Sequence, residues 1–187
     1  MPVYSSTLGR MSQAPRRTAI ALIAALTAVV MSGCGAPAPT PTPTALSEAE
    51  AYAAAEATYR AYVDALNRVD LSDPTTFEPV FALTTGEALA ADRKTFSDMH
   101  ARAYSVSGNT RVQSIVDRRF DSSTGVVELA VCQDVSQVHV VDESGNSVVS
   151  PDRPDIQQMR LRAAPLSSGA TRALITSFGP DESGVKC

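Results

Sequence analysis

Side-chain chemistry in this chain rests on two histidines, three cysteines and a few hydroxyl and carboxylate groups. His100 and His139 are the only histidines, so a three-histidine zinc site is impossible. Cys34, Cys132 and Cys187 are too few and too scattered for a zinc framework. Asp142, Ser144 and Asn146 open like a calcium loop, but the glycine and the distal glutamate are misplaced, and a hairpin turn accounts for them. No metal and no cofactor is therefore expected. Ser183-Gly-Val-Lys186 has the serine–lysine spacing in which a lysine can activate a nucleophile. It follows Pro180 and contains Gly184, so it cannot open the helix such a pair requires. No Gly-x-Ser-x-Gly elbow and no phosphate-cradling glycine loop is present. General acid–base work is left to His100, Tyr59 and Tyr62, and more remotely to Asp117 and Asp134. His100 adjoins an apolar helix stripe at Met99, which suits a boundary residue making one hydrogen bond. Tyrosines at helical spacing suit core residues whose hydroxyls sit at the rim.

The elements that must position these groups follow from periodicity. Ser47 and Glu50 form a capping box. Behind it Tyr52, Ala55, Tyr59, Tyr62, Leu66 and Val69 recur at steps of three and four, predicting a long helix that ends near Asn67–Asp70. Asp73-Pro74 breaks it, and a short second helix is expected over Thr76–Leu83. A third spans Thr85–Tyr104, capped by Thr84 or Thr85, with Leu89, Phe96, Met99 and Ala103 inward and a stop at Ser107-Gly108-Asn109. The period then changes to two. Arg111–Phe120 alternates with Val112, Val116 and Phe120 inward, and Val126–Gln133, Gln137–Val141, Ile156–Ala164 and Thr171–Phe178 are further strands. Turns are expected at Ser122–Gly125 and Asp142–Asn146. Helices first and strands afterwards predict an α+β domain over residues 46–187, with the N-terminal helices packed on one face of a curved antiparallel sheet.

The first 33 residues have a different character. Arg16-Arg17 precede an uncharged apolar run from Thr18 to Met31, the pattern of an export signal. The run is shorter than the roughly 20 apolar residues that cross a bilayer. Met31-Ser32-Gly33-Cys34 resembles the bacterial lipobox, which implies cleavage before Cys34 and lipidation of its thiol. Several acyl chains anchor stably where one does not. Pro37, Pro39, Pro41 and Pro43 alternate in the linker 34–45, which should lie near polyproline II and act as a spacer of about 30 Å. The expected location is the extracytoplasmic face of the cell membrane, held by the N-terminal lipid. Disulfides persist there, and with Cys34 taken up by lipid, Cys132 and Cys187 are left as an even pair and are expected to bridge. The formal charge of −4 includes Arg10, Arg16 and Arg17 of the leader. A mildly acidic body has no electrostatic footprint for nucleic acid.

A long amphipathic helix, a short one, a third helix and then an antiparallel sheet resemble the NTF2-like superfamily, the cystatin-type α+β roll, over Leu46–Phe178. Cys132-Gln-Asp134-Val-Ser136 followed by Val141-Asp142-Glu-Ser-Gly145 resembles a pattern in NTF2-like lipoproteins of high-GC Gram-positive bacteria. The resemblance implies a cleft between helices and sheet, lined by Tyr59, Val63, Phe96, Met99, His100, Leu129 and Met159. It implies a non-catalytic domain that binds a protein partner or a small apolar ligand there. Two alternatives stand beside it: an isomerase-, dehydratase- or cyclase-like enzyme (SnoaL- or ketosteroid-isomerase-like) using the same cleft, and an accessory subunit of a cell-envelope complex. Fold alone does not choose among them.

Overall fold

A computed structural model describes residues 46–167, 170–181 and 187. The export signal, Cys34, the linker up to residue 45 and the Ser183–Lys186 pair lie outside the described residues. Helix α1 runs over Glu48–Leu66 and opens on the expected capping box: the Glu50 amide donates to Ser47 Oγ, and Glu50 Oε2 accepts from the Ser47 amide at 2.9 Å. A 3-10 turn, Pro74–Phe77, runs into the single-turn helix α2, Glu78–Phe81. Pro79 is accommodated because it sits in the first turn, where its missing N–H would have had no helical partner. Helix α3 spans Gly86–Ala101 with Thr85 in the cap position, although no Thr85 side-chain hydrogen bond closes it.

Six strands follow: β1 Ser105–Ser107, β2 Arg111–Asp121, β3 Val126–Asp134, β4 His139–Val141, β5 Ile156–Pro165 and β6 Ala173–Pro180. The main sheet is antiparallel in the order β2-β3-β5-β6, and β1 pairs with β4 apart from it. The chain is thus α+β as expected, with its helices on one face of an antiparallel sheet. On that face Val127, Leu129 and Val131 of β3 align with Ala163, Leu161 and Met159 of β5, as the alternation of the sequence requires. Tyr59, Val80, Leu129, Leu161 and Ile175 are fully buried in the core between the layers. Polar groups there are paired. Tyr59 Oη donates to Gln133 Oε1 at 2.9 Å, and Thr58 Oγ1 donates to the Ala173 carbonyl at 2.9 Å.

Three expectations change. Strand β2 carries register shifts between Val112 and Ser114 and between Asp117 and Arg119. Each extra residue turns the following side chains over, so Ile115 packs on the core and Val116 is exposed. Helix α3 ends earlier than expected. Ala103 has φ 53°, lies outside the helix and is exposed, while Ala88 supplies the buried position. Residues 105–107, between the expected helix end at Tyr104 and the expected stop that opens at Ser107, form β1 against β4, and β4 begins at His139 because Val138 closes a turn onto the Val135 carbonyl.

The expected disulfide is present. Cys132 and Cys187 are joined across 55 residues of sequence, with Cα atoms 5.5 Å apart. Leu129 and Val131 face the helices, so the pleat sends Cys132 to the opposite face of the sheet. Closing a loop of this length removes about 4 kcal/mol of chain entropy from the unfolded state in the simplest account.

Candidate functional site

Where β2 and β3 end, the hairpin bends and continues as β1 and β4. Arg111 pairs with Asp134 on one side of the bend and Ser107 with His139 on the other. Gly108 makes the bend possible. Its φ is +80°, and a Cβ there would stand 1.6 Å from the Gln137 carbonyl oxygen, so only glycine fits. Asn67, the C-cap of α1, clamps the other side: its Nδ2 donates to the Thr110 carbonyl at 2.9 Å and its Oδ1 accepts from the Thr110 amide at 2.8 Å.

The bent arm, the end of α1 and the inner face of α3 border an open-mouthed cavity of about 500 Å³. That volume lies in the range of about 300–1,000 Å³ usual for small-molecule sites. Leu66, Val69 and Leu71 line one side, Phe96 and Met99 the second, and Val106, Val138 and Val140 of the arm the third. Tyr62 and Asp92 form its one ionisable pair. Tyr62 Oη donates to Asp92 Oδ1 at 3.0 Å, and the Tyr62 ring is braced by Phe178 with centroids 5.2 Å apart.

Asp92 is the unusual group. It is half-buried, and its Oδ2 is shielded from solvent without a hydrogen-bond partner among the described residues. Burial pushes the carboxyl above the usual carboxylate range, against the opposing pull of the Tyr62 and Thr84 hydroxyls. The Thr84 hydroxyl itself donates to the Phe81 carbonyl at 3.4 Å. Burial, and then the neighbouring Asp92, raise Tyr62 well above an ordinary phenol.

Of the seven residues expected at the cleft, Phe96 and Met99 line the cavity. Tyr59, Val63 and Leu129 are buried in the core, and Met159 packs against it. His100 lies on the exposed side of α3, outside the lining, with Nδ1 2.7 Å from the Leu71 carbonyl. A carbonyl only accepts, so Nδ1 carries the proton and makes the single hydrogen bond expected of a boundary histidine. Asp134 Oδ1 accepts from the Ser136 amide at 2.9 Å, and Asp142 Oδ1 accepts from the Ser144 and Asn146 amides at 2.9 and 2.8 Å. Both carboxylates cap turns. No group of three metal-ligating side chains occurs among the described residues. Asp92 is the residue sequence reasoning missed, although it lies four residues from both Ala88 and Phe96 on the buried stripe of α3.

No family model matches the chain, and no curated protein matches it by sequence. Among solved structures it is similar to the intermembrane space region of the chloroplast protein ARC6, with 13% identity over 67% of this chain and 92% of that one, at a TM-score of 0.43. It is also similar to Aln2 from a Streptomyces species, with 13% identity over 72% of this chain and 91% of that one, at a TM-score of 0.41. Likeness of this degree assigns neither an activity nor a ligand. What the geometry itself defines is an α+β domain with a largely apolar cavity that holds one acidic side chain, Asp92.

Proposed function

We propose that the chain is an exported lipoprotein, held through lipid on Cys34 at the extracytoplasmic face of the membrane, whose α+β domain binds a small, largely apolar molecule. The observation that carries the binding reading is the cavity of about 500 Å³ between α1, α3 and the bent arm, lined largely by apolar side chains, with Asp92 and a few neutral polar residues among them. Anchoring rests on the run from Arg16 to Cys34. No described helix is long and apolar enough to cross a membrane. The resemblance to NTF2-like lipoproteins of high-GC Gram-positive bacteria supports the same reading. Binding rather than catalysis is preferred because the cavity holds a single carboxyl and no second, independent acid or base. An enzyme reading, in which Asp92 moves a proton, is favoured only by the raised Asp92 carboxyl.

Purification of the full chain from membranes, solvent extraction and mass spectrometry test this. A small molecule should copurify with the parent protein, and Met99→Trp, which fills the cavity, should lose it while keeping the parent's circular dichroism. Equal amounts of that molecule on both proteins would sink the cavity as its site. Full release of the Cys34→Ala chain from the membrane fraction is expected, and its retention there would count against the lipid anchor.

A further inference from the structure

We infer that the cavity selects uncharged hydrogen-bond donors or cations with an apolar tail, such as long-chain alcohols and amines, and rejects carboxylates of the same length. This deepens the binding reading and rests on it. Asp92 is the only acidic side chain of the lining, and no lysine, arginine or histidine is among the lining residues. Its partner offers no proton to a ligand, because the Tyr62 hydroxyl already donates to Asp92 Oδ1. The pole therefore presents oxygen lone pairs. Of the two amide side chains in the lining, Asn67 and Asn109, the first is engaged on both sides by the Thr110 backbone.

An anionic head group brought into this space would set a second negative charge beside the first, away from water and without a counter-ion. A hydroxyl or ammonium head would instead donate to the pole, where Asp92 Oδ1 accepts one hydrogen bond, from Tyr62, and a carboxylate oxygen can accept a second. The tail would lie along Leu66, Phe96, Met99 and Val140. Selection therefore comes from the absence of any cation as much as from the presence of Asp92.

The test uses the full chain in phosphatidylcholine nanodiscs, with empty nanodiscs as reference. Salt is held at about 0.5 M so that the chain's overall charge is screened. Calorimetric titration with 1-decanol, decylamine and decanoate at neutral pH compares three head groups on one tail. The alcohol and the amine should bind at least about tenfold more tightly than the acid. In Asp92→Asn the amine-to-acid ratio should collapse to less than about threefold. Decanoate binding the parent as tightly as decanol or decylamine overturns the inference and leaves the binding reading standing. An amine-to-acid ratio that survives in Asp92→Asn also overturns it. Binding of none of the three overturns the binding reading itself. The comparison within the parent protein stands even if the variant folds poorly.

Discussion

Asp92 shows how one side chain can be at odds with the stability of its own fold. Its carboxyl is raised by burial, so the folded chain holds the proton to higher pH than the unfolded chain does. That contribution favours the folded state below the ordinary carboxylate range and is lost as pH rises through the folded value. Asp92→Asn should therefore gain stability relative to the parent at neutral pH, with the gain vanishing in acid. Urea denaturation at the two pH values measures it, and a variant less stable at neutral pH than in acid, relative to parent, contradicts the assignment. Apolar members of the site were legible in the sequence, since Phe96 and Met99 keep helical spacing. Asp92 was not, because a carboxylate on a helix is ordinarily a solvated group and periodicity arguments count only apolar residues. Its position between Ala88 and Phe96 was the available signal. Tyr59 and Leu129 were placed too near the opening for a related reason: pattern tells which face is inward, not how deep a residue lies on it.

Among elements, the decisive one is the bend at Gly108. Gly108→Ala meets both a left-handed backbone and the Gln137 carbonyl, and should cost about 2–3 kcal/mol and weaken binding in the cavity. Gly145, at φ +81° with open space around it, is the control. Gly145→Ala should cost only the conformational part, about 1 kcal/mol, with binding intact. Thermal melts and the decanol titration check both, and equal effects at the two positions would mean that the close approach is unimportant. Strands β3 and β5 were legible because strict alternation and a buried face fix register. The β2 bulges were not: a bulge is defined by its partner strand, and Val112, Val116 and Phe120 alternate perfectly well on paper. Strand β1 was hidden for the same reason. Ser105-Val-Ser107 is too short to show a period, and only β4, more than thirty residues later, makes it a strand.

At the scale of the molecule, helix order and strand order together declared the α+β layering, since each long apolar stripe needs a partner layer. The cavity is a property of neither layer. It exists because β1 and β4 carry the β2–β3 hairpin past the edge of the core and over the end of α1. Opening from the free end should consequently be cheaper than opening from the middle. Hydrogen–deuterium exchange should be fastest among strand amides at residues 105–107 and 139–141 and slowest in 127–133, and ligand should slow the first group most. Uniform protection across all of these strands would argue against it. The β1–β4 pairing is then a zipper whose last teeth form one wall of the cavity. Hairpin ends of this kind part and rejoin in about microseconds, so that wall can yield to the outline of a guest while the disulfide-tied sheet beneath keeps its register.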